Sequence, residues 1–453
     1  MNVTPSAETY HVAKQTPCVL TTLTQAYVYD LDPTPEQISI LRSHVGGSRF
    51  AYNAMLGLVK DNWDENRAKK ESGVEVSKDD WVSTSHFGLL YLWAKHRDEL
   101  APWWAENGVS TYNDAAQRLS KAFTNFRKGR TKFPNFKHKG QGGSVRFMGP
   151  TVRLTNAHHV RVARVGEVKT YESTRKLYRH LERGTGRIVA ATVSECSGKW
   201  KVSLTVEVTR VLPATRLPNK VIGIDVGVAT LYTGATPDGE QVLEVTNPGH
   251  FVTAEKRLSH AQRIASRRQG PRPGVAPSER WKKANGRVQK IHADVRNARK
   301  NLIHETTTRL AKNYDVIVLE DLNIAGMVRN YSLAKHVSDA AWGEFARQLE
   351  YKTKWYGSTL VRVNRFYPSS KTCSQCGTVK ATLSLGDRTY HCGTCGLTLG
   401  RDVNAAINLA RQGLAGTSSG TGRGGEVRPV QQKLVATAHP DEASTETLTV
   451  VGA

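Results

Sequence analysis

Four cysteines, Cys373, Cys376, Cys392 and Cys395, form two C-x-x-C pairs with 15 residues between them. Four thiolates close a tetrahedral shell around Zn²⁺ and leave no position for water, so this spacing predicts one structural zinc in a ribbon. Gly377 and Gly396 each follow a pair, where a knuckle backbone must turn sharply. Cys18 and Cys196 stand alone. The usage is that of metal ligands in a reducing compartment rather than of a disulfide framework.

Three carboxylates could do chemistry. Asp225 lies inside the apolar run Val221-Ile222-Gly223-Ile224-Asp225-Val226. An ionised group in such a strand is costly unless it is ion-paired or binds metal. Glu320 ends a second apolar run, Val316–Leu319, and the carboxyl ends of strands in α/β sheets face the site crevice. Asp402 precedes Val403, Ala406, Ile407 and Ala410 and, taken alone, reads as a helix cap. Together they place one acid on each of two buried strands and one at a helix start. Such a set can hold two Mg²⁺ ions about 4 Å apart, one activating a water and the other stabilising the leaving oxygen of a phosphodiester. Mg²⁺ suits a site made of oxygen ligands and retained waters.

The partner is predicted from charge. The 453 residues carry 64 Lys and Arg against 40 Asp and Glu, a net +24, which points to a polyanion such as nucleic acid. Residues 121–140 contain Lys121, Arg127, Lys128, Arg130, Lys132, Lys137 and Lys139 and no acid, with Phe123, Phe126, Phe133 and Phe136 interleaved. The cations are expected to bind phosphates, and the rings to pack inside rather than stack on bases. Between Glu255 and Asn301 there are fourteen basic residues and three acids. No apolar run reaches the length of a membrane span, and Met1–Tyr10 lacks the character of a signal peptide.

The elements that position these groups follow from periodicity. Residues 19–30 alternate as a strand, and Asp32-Pro33-Thr34-Pro35 ends it. Glu36 to about Arg127 reads as helical, with Trp81, Trp93, Trp103 and Trp104 expected in its core. Val193 closes an apolar run. Ser197-Gly198 then supplies a turn, and Trp200, Val202, Leu204, Val206 and Val208 alternate as the return strand. Pro213 and Pro218 bracket a linker. Val288, Ile291, Val295, Ala298 and Leu302 mark one amphipathic helix, Trp342, Phe345, Leu349 and Tyr356 another, and Asp402–Arg411 a third. From Gly413 the chain is rich in Gly, Ser and Thr and is expected to be disordered. No helix-turn-helix signature and no array of zinc fingers is evident.

Taken together, GSRFAYNAML (47–56), LSKAFTNFRKGRTKFPNFKHKG (119–140), IGIDVGV (222–228), VLEDLNIAGM (318–327), SKTCSQCG (370–377), YHCGTCG (390–396) and RDVNAAINLA (401–410) resemble the TnpB family, the OrfB-type proteins of bacterial insertion sequences related to type V CRISPR effectors. The resemblance implies an α+β multidomain chain: an RNase H-like (RuvC) α/β nuclease domain with an inserted zinc ribbon, preceded by a wedge β-barrel with a helical insertion. The boundaries implied are 1–35 and 128–218 for the wedge, 36–127 for the helical recognition insertion, 219–412 for the nuclease domain with its ribbon at 366–399, and 413–453 for the tail. It further implies an RNA-guided DNA endonuclease with a single RuvC site in which Asp225, Glu320 and Asp402 are catalytic and bind two Mg²⁺. Cys373, Cys376, Cys392 and Cys395 would hold one zinc. The implied partners are a guide RNA from the element's end and double-stranded DNA beside a short adjacent motif. The protein would act as a monomer on RNA in the bacterial cytoplasm, associated with the nucleoid through nucleic acid. A catalytically silent guided repressor would be expected to lose one of the acids. A DDE transposase would order them Asp, Asp, Glu. A plain zinc-ribbon DNA-binding protein leaves Asp225 unexplained.

Overall fold

The computed structural model describes residues 18–139, 143–196, 198–213, 220–272, 274–384, 386–418 and 435–436. The chain divides into two compact units: Thr22–Arg210, and a second from Val211 onward that also takes in Thr21 and the residues before it.

β1 (Cys18–Asp32), which belongs to the first unit from Thr22 on, leads into α1 (Pro35–Glu71). The start of α1 is fixed reciprocally. The Gln37 N–H donates to the Thr34 hydroxyl at 3.3 Å and the Thr34 N–H donates to Gln37 Oε1 at 3.1 Å, with Pro35 opening the helix. α2 (His86–Leu100) and α3 (Val109–Arg127) pack on α1 around Met55, Leu56, Trp93, Tyr112, Leu119 and Phe123. Trp93 is buried as expected. Trp103 is not: it sits on the loop after α2, 36% exposed, with its ring edge-on to Phe50 at 5.3 Å.

The remainder of this unit is a sheet. Its further strands are β2 (Gly143–Met148), β3 (Val152–Asn156), β4 (His159–Val162), β5 (Gly166–Thr170), β6 (Gly186–Cys196) and β7 (Lys199–Pro213), with α4 (Arg175–Glu182) before β6. The strand order is β2-β6-β7-β1-β5-β4-β3. The β6–β7 hairpin turns at Gly198, whose φ of 78° needs glycine. The alternation read from the sequence puts Trp200, Val202, Leu204, Val206 and Val208 into one core with Tyr27 and Phe147.

The second unit opens with β8 (Val221–Val226), β9 (Thr230–Ala235) and β10 (Gln241–Thr246). α5 (His250–Ser266) and the 35-residue α6 (Glu279–Asn313) follow. Next come β11 (Val316–Glu320), α7 (Ile324–Met327), α8 (Tyr331–Ala340), α9 (Trp342–Tyr356) and β12 (Thr359–Val363). β13 (Thr389–His391) and β14 (Thr398–Gly400) form a small separate ribbon, and α10 (Arg401–Ser418) ends the described run. The main sheet has the order β10-β9-β8-β11-β12. β10, β9 and β8 pair antiparallel, and β8, β11 and β12 pair parallel. Ile222, Ile224, Ile317, Leu319, Phe345 and Leu349 fill its core, and Tyr232 stacks on Phe345 at 3.9 Å.

α10 is longer than the sequence pattern indicates. The tail expected from Gly413 begins as helix and continues to Ser418. Gly413 is no helix stop. A Cβ there would lie 2.2 Å from Val318 Cγ2, so the glycine lets the helix pack on β11. The expected disorder beyond Ser418 lies outside the described residues, apart from the two-residue strand Val435–Ala436.

Candidate functional site

β8 and β11 run parallel with Leu319 opposite Ile224. One step further along each strand stand Asp225 and Glu320, so the register sets two carboxylates side by side at the strands' carboxyl ends. Asp402 enters from the first turn of α10, one residue inside the helix start rather than at the cap position. Its Oδ2 lies 3.9 Å from where a Cβ on Gly227 would sit, just past the end of β8. Burial pushes the Asp225 carboxyl well above the usual carboxylate range, and the charges of Glu320 and Asp402 push it further, against a partial pull from Arg401. Burial also raises Glu320, opposed by a hydrogen bond from Ser369. Two buried acids that resist ionising, with a third carboxylate beside them, are a natural seat for divalent cations. Their oxygens do not all close to within 4.8 Å of one another, as the cysteine sulfurs do.

The support around these acids was not legible as a motif. Ser369 is buried and its hydroxyl donates to Glu320 Oε1. The Trp342 indole N–H donates to the Gly227 carbonyl at 3.3 Å, tying α9 to the end of β8. Asn404 and Asn408, one turn apart on α10, are buried and bond to the segment around Cys373. Two asparagines at i, i+4 within an otherwise apolar helical face were the available signal.

The four sulfurs converge. Cys373 and Cys395 are 3.6 Å apart, as are Cys376 and Cys392. A tetrahedral zinc with Zn–S near 2.3 Å sets its sulfurs about 3.8 Å apart, so the cluster has the dimensions of such a site. The backbone N–H groups of Cys395 and Thr394 pull the Cys392 thiol down to about 6 and Thr378 lowers Cys376, while Cys395, hydrogen-bonded to its three neighbours, is pushed up to about 12, so four sulfurs this close cannot all ionise without a cation between them.

The basic candidates lie in the first unit. Lys121, Arg127, Lys128, Arg130, Lys132, Lys137 and Lys139 are all exposed, and among the described residues none is ion-paired. Phe123 and Phe126 each pack edge-to-face on Phe133, at 5.8 Å and 5.4 Å, while Phe136 is exposed. Asn53 clamps the backbone of Lys137 at both N–H and C=O, at 2.8 and 2.9 Å, and so anchors the stretch to α1.

Comparison with known proteins gives first a class and then a family. A structure of a Cas12f1–sgRNA–target DNA complex superposes with a TM-score of 0.51 at 12% identity, covering 86% of this chain and 99% of that one. The fold is thus of the α+β, several-sheet type of the Cas12f effectors. A relative from Streptomyces pristinaespiralis, named as an RNA-guided DNA endonuclease, is 33% identical over 90% of this chain and 93% of its own. One from Mycobacterium tuberculosis with the same description is 33% identical over 85% and 86%. Residues 342–409 match a family model described as Cas12f1-like, TNB domain, and 201–331 match one described as "Probable transposase" of the OrfB type. The chain belongs to the TnpB (OrfB) family. Residues 23–68 match a model described as a helix-turn-helix domain, a signature not seen in the sequence. Here they form β1 and the continuous α1. Gly46 and Gly47, suited to a turn, stay helical, and Gly47 faces Asn107, whose Nδ2 would lie 3.1 Å from a Cβ.

Proposed function

We propose that this protein is a transposon-associated RNA-guided DNA endonuclease that hydrolyses phosphodiester bonds at a single RuvC-type site formed by Asp225, Glu320 and Asp402. Family membership supports the guided cutting of DNA. The observation that carries the site is the β8–β11 register, which sets Asp225 beside Glu320 with Asp402 entering from α10. The sheet order, with three antiparallel strands followed by two parallel ones, supports the RNase H-like reading.

The acids would hold a Mg²⁺ pair. When bound, such a pair supplies an activated water and stabilises the leaving oxygen. The chain itself does the positioning. Ser369 orients one Glu320 oxygen, Arg401 flanks Asp402 with its Nε 3.4 Å from Oδ1, and the buried Ile224 and Leu319 just before the two strand acids anchor those strands in the core. The cysteine cluster holds one structural zinc. In the first unit the sheet serves as the wedge and α1–α3 as the recognition insertion. A guide RNA from the element's end and DNA with a short adjacent motif are the partners of one copy of the chain. Within the described residues no helix is long and apolar enough to cross a membrane.

Asp225→Asn, Glu320→Gln and Asp402→Asn, each alone, should lower guided cleavage by about 1,000-fold or more, because residues acting as a unit fail together. Guide-RNA affinity should be unchanged. Near-normal cutting by any one variant would remove that residue from the site.

A further inference from the structure

The cysteine ribbon and the carboxylates are joined by a continuous chain of hydrogen bonds, all within the second unit. Its first link is Ser369. This residue is 2% exposed and donates its hydroxyl to Glu320 Oε1. Its carbonyl accepts from Asn408 Nδ2 at 2.8 Å, and the same amide donates to the Thr372 carbonyl at 2.7 Å. Asn404 is wholly buried. It donates to that Thr372 carbonyl at 2.7 Å and accepts the Ser374 N–H at 2.9 Å. The Arg411 guanidinium takes the Ser374 carbonyl. The peptide groups on both sides of Cys373 are therefore bonded to α10. α10 also carries Asp402, two residues before Asn404.

Between Ser369 and Cys373 the backbone has no slack. The N–H groups of Lys371 and Thr372 both reach the Pro368 carbonyl at 3.0 Å, and the Thr372 hydroxyl donates to it at 2.8 Å. The Cys373 N–H bonds the Thr378 carbonyl at 2.9 Å across the knuckle. Where the knuckle goes, Ser369 goes, and with it the oxygen that Glu320 presents.

We propose that Ser369 is a positioning residue for Glu320, and that the zinc-bound knuckle, locked to α10 by Asn404 and Asn408, is the template that fixes Glu320 against Asp402. This rests on the carboxylate site proposed above. It gives the ribbon a task at the acids in addition to any contact with nucleic acid. Groups that orient metal ligands from behind usually change metal affinity by about 10- to 100-fold when removed.

The test is Mn²⁺ titration of the RNA-free full-length chain by calorimetry, with zinc content and melting temperature measured on the same samples. Ser369→Ala should keep its zinc and its melting temperature yet bind Mn²⁺ about 10-fold more weakly. Ser369→Thr, which keeps the hydroxyl, should restore binding. Asn408→Ala should also weaken Mn²⁺ binding with zinc retained. If Asn408→Ala sheds zinc, the Ser369 pair decides. Glu320→Gln is the reference. If it loses Mn²⁺ binding while Ser369→Ala keeps wild-type affinity, the positioning role is overturned. If Glu320→Gln itself binds Mn²⁺ normally, the carboxylate reading beneath it fails instead.

Discussion

A Cβ on Gly223 would stand 2.1 Å from the Ala406 carbonyl oxygen and 2.3 Å from the Ala410 nitrogen. The α10 backbone therefore lies directly on β8, and only glycine fits between them. That contact sets the depth at which Asp402, one turn earlier on α10, approaches Asp225.

Gly223→Ala should force the helix off the strand. Overpacking of this kind lowers stability by about 1–3 kcal/mol. Cleavage should fall by about 100-fold, because a small misplacement of reacting groups suffices for that. Thermal melting and guided cleavage check both effects. Wild-type cutting by the variant would show that Gly223 does not govern the position of Asp402.

The same close contact shows what the sequence carries and what it hides. The apolar runs around Asp225 and Glu320 are readable because buried parallel strands are continuous in hydrophobicity. Their pairing is not, since nothing local says that Ile224 meets Leu319. The cysteine spacing is readable because metal geometry is strict. β12 and the β3–β5 meander are short, and their patterns do not stand out from loops. Gly413 misleads because a glycine needed for helix–strand contact looks locally like a helix terminator. Trp103 misleads because an indole is expected inside whether or not the chain leaves it at a rim.

The raised Asp225 carboxyl gives a pH signature. Its unfolded value is near 3.9, and its folded value is higher. The folded state thus binds the proton more tightly, and metal-free stability falls as pH rises from about 4 through the folded value. Burial raises Glu320 in the same direction. Mg²⁺ held as proposed would bind the ionised acids, so its stabilising effect should grow with pH. Melting temperature measured with and without Mg²⁺ should show a gain at about pH 8 that exceeds the gain at about pH 5, by about 2 °C or more. Equal gains, or a larger one in acid, would contradict a metal seat at Asp225.

The exposed cations at 128–132 should act on phosphate. Replacing Lys128, Arg130 and Lys132 with Ala should weaken nucleic-acid affinity and flatten the plot of log affinity against log salt by about 0.7–0.9 per lost contact. Melting temperature should hold, because none of the three is ion-paired among the described residues and all are exposed. An unchanged slope would make these charges merely solvated.

Plasmid cleavage with matched, scrambled and absent guide RNA bears most directly on guided cutting at the Asp225–Glu320–Asp402 site. The helix-turn-helix match at 23–68 falls on a strand and one continuous helix, so specificity is expected from base pairing, with Lys and Arg expected to hold the heteroduplex by its backbone. In Mg²⁺, the matched guide should give double-strand cleavage, the other two conditions almost none, and Asp225→Asn none with any guide. Equal cutting in all three conditions, or cutting by the Asp225→Asn chain, would contradict it.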